Sequence, residues 1–340
     1  MKPDSTSGAR ILSRKIKVNI LLILGLFLSG VYTPQSLANE VELLMTPAMV
    51  SAIPEHQRVV VDTRPSWKFL LSHIPDAINL GDWQEFTQTV NGVKGLLKDD
   101  KDFIADKLGP LGFSSDKTII IYGEPNDPWR TDGRFFWMFE RYGFKNVALL
   151  DGGLAGWKQA GKNIQRGRQH STPQSNLTPN NINLNNQVIA DKLLINNKLL
   201  DNNLTIIDNR KRKEFEGATP YGSPRGGHIP NAIHIHWPEF FQANGNLKTL
   251  PALNSLLDQN GIRPNQEVIV YCTGGVRSAL AYFVFRFLGY KDRNYDGSWW
   301  DWSQSSFPIE VWRKSSTPNQ KIATGDEKIA LRGGVDDRIY

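Results

Sequence analysis

Residues 267–278 read Glu-Val-Ile-Val-Tyr-Cys-Thr-Gly-Gly-Val-Arg-Ser, and this stretch decides the fold of the second half of the chain. Its first part, Val268–Tyr271, is apolar without alternation, which is typical of a strand buried on both faces of a parallel sheet. After the loop, residues 278–288 are apolar almost all round and stop at Gly289, which predicts a buried helix with a glycine cap. Cys272 therefore lies between a strand end and a helix start, where open α/β sheets bind their ligands.

The chain repeats itself. Four segments occur twice in the same order, with offsets of 145 to 155 residues between the two copies. The pairs are Val59–Arg64 and Thr205–Arg210, His73–Asn79 and His228–His234, Thr118–Gly123 and Glu267–Cys272, and Asp151–Gly153 and Asp296–Ser298. Segments that keep their order and spacing in this way indicate two copies of one domain, each of about 125 residues.

Each copy alternates short apolar runs with longer helical stretches. Besides Val268–Tyr271, the predicted strands are Val59–Val61, Thr118–Ile121, Val147–Leu150 and Leu204–Ile207. Buried strands separated by helices predict the α/β class, in which each copy is a parallel sheet flanked by helices on both faces.

Composition divides the chain into five parts. We predict an export signal over residues 1–38, a first domain over 39–165, a linker over 166–186, a second domain over 187–313 and a tail over 314–340. The linker is rich in Asn, Gln, Ser, Thr and Pro without an apolar period, which is typical of a connecting segment.

The export signal is predicted from its three regions. Arg14–Lys17 is basic, Ile20–Leu28 is apolar, and Ser36–Ala38 supplies the small residues that a signal peptidase recognises. The apolar run is shorter than the roughly 18–20 residues that span a bilayer. We therefore expect an exported protein, periplasmic or secreted, with no stable membrane insertion after cleavage; an uncleaved anchor is the alternative.

Charge and cysteine count exclude several classes of protein. The 340 residues include 40 basic and 34 acidic residues, a net charge of +6, of which +4 lies within residues 1–38. The remaining +2 provides no broad surface to neutralise phosphates, so no nucleic-acid partner is expected. One cysteine excludes a disulfide framework and a Cys-rich metal site.

The loop after Cys272 has the composition of an anion-binding loop. Gly274 and Gly275 allow backbone angles that turn amide N–H groups inward around the sulfur. The helix start and Arg277 add positive charge, and both favour the thiolate over the thiol. Such a ring of amides suits a sulfur that carries a second sulfur as a persulfide anion, and it equally suits an anionic substrate. The alternative is a small buried cysteine without reactivity.

The chain resembles the tandem-domain rhodaneses, sulfurtransferases of the thiosulfate and mercaptopyruvate group, from about residue 45 to 313. The motifs that carry the resemblance are Asp208–Arg210, Gly227–Ala232, the Cys272 loop and Tyr295–Trp299. The resemblance implies that Cys272 is the catalytic nucleophile. It takes sulfane sulfur from a small anionic donor, becomes a persulfide and passes the sulfur to a thiol or to cyanide.

Residues that bind the donor are predicted from the same comparison and from charge. A guanidinium suits the sulfonate-like or carboxylate end of a donor. The predicted substrate-binding residues are Arg277, Arg210, Arg225, Thr273, Gly274, Gly275 and Val276. No cofactor is expected, and no metal ion either, since His234 and His236 lack the further ligands that zinc requires.

The first copy has Gly123 where the second has Cys272. Pro125 and Pro128 remove amide donors from its loop, and Glu124 and Asp127 add negative charge. The first domain is therefore predicted to be inactive, and the resemblance implies that it frames the active-site cleft of the second.

Three alternatives to a thiosulfate sulfurtransferase remain at this point. A phosphatase of the same fold uses a Cys-to-Arg loop one residue longer than the four residues between Cys272 and Arg277. A binding module would keep the fold without turnover. The resemblance implies mercaptopyruvate as a donor from the small neutral Thr273 and Gly274 after the cysteine, whereas Arg277 favours thiosulfate.

Overall fold

A computed structural model describes residues 42–168 and 175–311 of the chain. The predicted export signal and the predicted tail from residue 314 lie outside the described residues, as do residues 169–174 of the predicted linker. Within these two ranges, no helix is long and apolar enough to cross a membrane.

The described part of the first domain contains strands β1–β7 and helices α1–α5. The strands are β1 Leu44–Met45, β2 Arg58–Asp62, β3 Ile78–Asn79, β4 Thr87–Val90, β5 Val93–Leu97, β6 Thr118–Tyr122 and β7 Val147–Leu150. The helices are α1 Pro47–Ala52, α2 Ser66–Leu71, α3 Lys101–Leu108, α4 Thr131–Arg141 and α5 Gly153–Gln159.

The described part of the second domain contains strands β8–β12 and helices α6–α10. The strands are β8 Ile189–Ala190, β9 Leu204–Asp208, β10 Ile233–His234, β11 Glu267–Tyr271 and β12 Lys291–Tyr295. The helices are α6 Lys192–Asn197, α7 Arg212–Phe215, α8 Leu250–Gln259, α9 Val276–Phe287 and α10 Ser298–Trp302.

The two large sheets are parallel and have the same strand order. The order is β1-β7-β6-β2-β3 in the first domain and β8-β12-β11-β9-β10 in the second. In the central pairs, Val59 lies opposite Ile119, and Ile206 lies opposite Ile269. Strands β4 and β5 form a separate antiparallel hairpin. The predicted α/β fold, with one parallel sheet in each copy, is confirmed.

Every predicted strand is present within one residue of its predicted bounds. The two-residue strands, the β4–β5 hairpin and β12 were not predicted, and β12 reads Lys-Asp-Arg-Asn-Tyr without an apolar run. This strand lies between β11 and β8, and its Asp292 and Asn294 side chains are buried. Because these buried residues are polar, a prediction based on hydrophobicity does not identify β12 as an interior strand of the sheet.

Both faces of each sheet are covered. In β2, Val59 and Val61 pack into one hydrophobic cluster and Val60 into another. In β9, Ile207 and Ile206 divide in the same way between two clusters. The cluster that holds Val59, Val61 and Ile207 contains residues of both domains, so the two domains share one core.

Helices α4 and α9 form the centre of that shared core. The rings of Phe136 and Phe283 meet edge to face, with centroids 5.0 Å apart. A Cβ atom placed on Gly133 would lie 2.5 Å from the Cα atom of Leu280, so the helices approach closely only because this position has no side chain.

Polar contacts continue the interface towards the Cys272 loop. Arg134 Nη1 donates to Asp296 Oδ1 at 2.6 Å, and both side chains are buried. The backbone N–H of Leu97 donates to Asp296 Oδ2 at 2.8 Å. The first domain therefore holds the start of the turn between β12 and α10.

The described end of the predicted linker packs on the first domain. Ser114 Oγ lies 2.8 Å from Asn176 Oδ1, and Ile182 is buried in the shared core. Leu177 and Leu184 pack against the same core, so three apolar side chains anchor this polar segment.

Substitution of Gly133 tests the close approach of α4 and α9. We expect Gly133→Ala to lower the free energy of unfolding by about 1–3 kcal/mol, because the new methyl group overlaps the backbone of Leu280. Gly109→Ala is the matched control, since φ there is −56° and the nearest atom would lie 3.6 Å away. Urea unfolding followed by tryptophan fluorescence measures both. Equal stability of the two variants would contradict the close packing.

Candidate active site

Cys272 is the first residue after β11, and α9 begins four residues later at Val276. This is the strand–loop–helix arrangement that the sequence predicted. The cysteine is free and only 1% exposed. Its backbone N–H donates to Ser298 Oγ at 3.1 Å, which ties the strand end to α10.

Gly274 and Gly275 are each required by the loop for a different structural reason. Gly275 has a φ of 76°, and a Cβ atom there would lie 2.5 Å from the backbone oxygen of Asp296. At Gly274 a Cβ atom would lie 2.3 Å from the ring of Trp300. Gly275 therefore meets a backbone requirement, whereas Gly274 leaves room for an aromatic ring. Val276 is 8% exposed and opens α9.

Arg277 is held by a buried carboxylate that the sequence analysis did not identify. Its Nη1 and Nη2 atoms donate to the two carboxylate oxygens of Glu214 at 2.9 and 3.0 Å. Thr273 Oγ1 donates to Glu214 at 2.6 Å and accepts from Arg277 Nη2 at 2.6 Å. These bonds use three of the five guanidinium N–H groups and fix the planar fork in place.

Charge and hydrogen bonds favour the thiolate of Cys272. Burial alone raises the pKa of this thiol. The Arg277 guanidinium, the Ser278 hydroxyl and the backbone N–H groups of Ser278 and Gly274 outweigh burial, so the pKa is lowered from its ordinary value. For Glu214, burial also raises the pKa, but the bonds from Arg277 and Thr273 lower it further than burial raises it.

Side chains from both domains surround this site. Three are aromatic, Trp129, Tyr221 and Trp300, and with Lys94, which lies over the Trp300 ring, we call them the aromatic rim. The Arg277 guanidinium carbon lies 5.7 Å from the ring centroid of Trp129 and 5.5 Å from that of Tyr221. Lys94 Nζ lies 4.4 Å from the Trp300 centroid. Lys94 and Trp129 belong to the first domain, so that domain contributes to the surroundings of Arg277.

Arg210 and Arg225, which were predicted to bind the donor, both have hydrogen-bond partners within the second domain. Arg210 is 1% exposed and forms a fork with Asp208, with Nη2 at 2.6 Å from Oδ2, and a further bond of 2.7 Å to the Gly227 oxygen. Arg225 donates to four backbone oxygens, those of Trp302, Ser303, Ser305 and Phe307. Both guanidiniums therefore stabilise loops of the second domain, Arg210 at Gly227 and Arg225 at residues 302–307.

The matching loop of the first domain is longer. It runs over residues 123–130 between β6 and α4, eight residues against the four of the Cys272 loop. Glu124 pairs with Lys68 at 2.5 Å, and Asp132 pairs with Arg130 at 2.9 Å. A Cβ atom on Gly123 would lie 3.0 Å from Thr63 Oγ1 and 3.6 Å from the carboxyl carbon of Asp132, so a side chain there would be crowded.

Glu214, Ser278 and Asn294 were absent from the predicted site. At the offset of 146 residues that aligns Asp62 with Asp208, Glu214 matches Lys68. This opposite charge was the sequence feature that could have identified Glu214. Ser278 and Asn294 had no such indication, because their importance depends on a contact between α9 and β12.

Comparison with known proteins agrees with the fold and with the doubled domain. The family described as "Rhodanese-like domain" matches the chain twice, at residues 46–160 and 192–305. The chain therefore belongs to the rhodanese-like family and contains two of its domains.

Several relatives have names that refer to sulfur chemistry. "Thiosulfate sulfurtransferase" of Corynebacterium glutamicum is 29% identical over 269 residues, which cover 75% of this chain and 85% of the relative. "Sulfur carrier protein TtuD" of Thermus thermophilus is 30% identical over 240 residues, covering 68% and 82%. The 3-mercaptopyruvate sulfotransferase SseA of Escherichia coli superposes with a TM-score of 0.65 at 22% identity, over 76% of this chain and 99% of SseA, which shows a shared fold.

Removal of Arg277 tests its effect on the thiol. We expect Arg277→Ala to raise the pKa of Cys272 and to cost about 3–5 kcal/mol of stability, because Glu214 would be left buried without its partner. Arg277→Ala/Glu214→Gln should regain stability and keep the raised thiol pKa, and Arg277→Lys should restore the pKa only in part.

The pH dependence of alkylation by iodoacetamide gives the thiol pKa, and urea unfolding gives the stability. Arg286→Ala is the control, because Arg286 lies on the same helix, is 47% exposed and pairs with Glu140. An unchanged alkylation profile in both Arg277→Ala variants would show that the guanidinium does not act on the sulfur.

A thiol introduced into the first domain tests the difference between the two loops. We expect Gly123→Cys to form no persulfide with thiosulfate, because Thr63 Oγ1 crowds the new side chain and Pro125 and Pro128 donate no hydrogen bonds. The measurement is intact mass of Gly123→Cys/Cys272→Ser after treatment with thiosulfate, with Cys272 wild type as positive control. Addition of one sulfur to the double variant would overturn the prediction.

Proposed function

We propose that this protein, a rhodanese-type sulfurtransferase, moves sulfane sulfur from thiosulfate through a persulfide on Cys272 to a thiophilic acceptor such as cyanide or a thiol. The observation that carries the proposal is the surroundings of the thiol. Cys272 lies at a strand end among N–H and O–H donors, with the fixed charge of Arg277 beside it.

Two displacements at sulfur make up the proposed cycle. The Cys272 thiolate attacks the outer sulfur of thiosulfate, a new S–S bond forms, and the bond to the sulfonate sulfur breaks with release of sulfite. The acceptor, for example cyanide, then attacks the terminal sulfur of the persulfide. The S–S bond breaks, thiocyanate leaves, and the electron pair returns to Cys272 as thiolate.

The residues around the loop support an anionic donor. Arg277 has two N–H groups beyond the three that bond Glu214 and Thr273, and these can donate to a sulfonate oxygen. Lys94 adds positive charge at the aromatic rim. The name of the Corynebacterium glutamicum relative supports thiosulfate as the donor.

Mercaptopyruvate is the alternative sulfur donor, and it differs from thiosulfate in how its anionic group would bind Arg277. Its carboxylate is planar and suits a bidentate guanidinium, but the fork of Arg277 is already occupied by the Glu214 carboxylate. We therefore expect kcat/KM to be higher for thiosulfate, with cyanide as the acceptor for both donors. A higher value for mercaptopyruvate would assign the protein to the other donor.

We also propose that the protein is exported. This proposal rests on residues 14–38 of the sequence, whose basic, apolar and small-residue regions have the order of a signal peptide. Expression of the full chain followed by cell fractionation and mass analysis tests it, and a mature chain that begins at Asn39 is expected. A chain that keeps residues 1–38 would contradict cleavage.

Substitution of the single thiol tests the proposed reaction. We expect Cys272→Ser to abolish sulfur transfer from thiosulfate to cyanide without loss of fold, because no second thiol is present. Intact mass after thiosulfate treatment should show one added sulfur in the wild type alone. Turnover by the Ser variant would refute the mechanism, and a wild type that folds but neither gains sulfur nor turns over would indicate a binding module.

A further inference from the structure

The Ser278 hydroxyl lies between the reactive sulfur and a buried amide. Its Oγ atom is 3.5 Å from Cys272 Sγ and 2.7 Å from Asn294 Oδ1. Ser278 and Asn294 are both 0% exposed, so water does not compete for either group. The hydroxyl therefore has two neighbours that accept hydrogen bonds and one hydrogen to give.

The orientation of Asn294 is fixed by its other end. Asn294 Nδ2 donates to the backbone oxygen of Gly275 at 3.1 Å. Because an amide oxygen can only accept, Oδ1 must receive the Ser278 hydrogen when Cys272 is a neutral thiol. In that state the S–H group can donate to Ser278 Oγ, and every polar atom is satisfied.

The thiolate changes this arrangement. A deprotonated sulfur has no hydrogen to donate and accepts the Ser278 hydrogen instead, which leaves Asn294 Oδ1 without its donor. We propose that Ser278 is a catalytic residue whose hydrogen moves between Asn294 Oδ1 and Cys272 Sγ, and that Asn294 is the positioning residue that competes for it. This inference rests on the proposed persulfide cycle and assigns Ser278 to its second step.

In that second step Cys272 is the leaving group. As the acceptor bonds the terminal sulfur, the S–S bond breaks and its electron pair goes to Sγ. The Ser278 hydroxyl then turns from Asn294 to the new thiolate. A leaving thiol of lower pKa departs faster, so a hydrogen bond to Sγ accelerates discharge of the persulfide.

Ser278→Ala tests the hydrogen bond directly. We expect the alkylation pKa of Cys272 to rise by about one unit, as a hydrogen bond to a charged group allows. Discharge of the preloaded persulfide to cyanide should slow several-fold, since one unit in the pKa of the leaving thiol changes the rate by less than tenfold. Ser303→Ala is the matched control, because Ser303 is 2% exposed and its Oγ atom has no hydrogen-bond partner among the described residues.

Asn294→Leu should shift the pKa in the opposite direction. Without the competing acceptor, the Ser278 hydrogen stays with the sulfur, so the alkylation pKa should fall below that of the wild type. The Gly275 oxygen keeps its bond from Arg134 Nη1 at 3.3 Å. In Ser278→Ala/Asn294→Leu the pKa should return to the value of Ser278→Ala alone, which a role in packing would not produce.

Different results distinguish this inference from the proposed function. If Ser278→Ala leaves the alkylation profile and the discharge rate at wild-type values, the hydroxyl does not act on the sulfur. A rise in pKa for both Ser278→Ala and Asn294→Leu would show that the two residues only pack the loop. If the wild type takes up no sulfur from thiosulfate, the proposed cycle fails, and the opposite pKa shifts still decide whether Ser278 and Asn294 share one hydrogen.

Discussion

Arg277 places a fixed positive charge beside a thiol that is almost closed to water, and Glu214 holds that charge in position. A buried guanidinium without a partner would cost several kcal/mol, and a buried thiolate without a cation would not form. The pair is neutral as a whole, so the protonated enzyme carries no uncompensated charge. The backbone N–H groups of Ser278 and Gly274 already point at Sγ, and the Ser278 hydroxyl joins them when the thiolate appears. Gly274 and Gly275 allow the Cys272 loop to pack closely against Trp300 and Asp296, in and beside the turn between β12 and α10.

Sequence patterns predicted what depends on local periodicity and missed what depends on contacts between distant segments. The apolar runs located β2, β6, β7, β9 and β11, and the repeat located the second copy of the domain. Cys272 and Arg277 share one loop, so their proximity followed from spacing. Glu214 lies 63 residues before Arg277, and only the fold brings them together. Charge alone does not show what a guanidinium binds: Arg210 donates to the Asp208 carboxylate, and Arg225 donates to backbone oxygens of the same domain.

The two domains show how one fold carries two different loops. At matching positions the first domain pairs Lys68 with Glu124, whereas the second places Glu214 beside Thr273. Lys68 of the first domain corresponds to Glu214 of the second, so the charge at this helical position is reversed. An anion would meet Glu124 and Asp127 at the first loop and Arg277 at the second. The four additional residues in the first loop carry Trp129 to the aromatic rim near Arg277. A loop without a nucleophile therefore still contributes to the site of the other domain.

The first domain also reaches the sulfur through a continuous set of hydrogen bonds. Arg134 donates to the oxygen of Gly275, and Asn294 donates to the same oxygen from the second domain. Two donors on one carbonyl restrict Gly275, which ends the Cys272 loop, and Asn294 in turn faces Ser278. A second domain standing alone would lose Arg134 and expose the face of α9 that carries Leu280 and Phe283. The loop geometry around Cys272 is thus a property of the pair of domains, since side chains of both hold the carbonyl of Gly275.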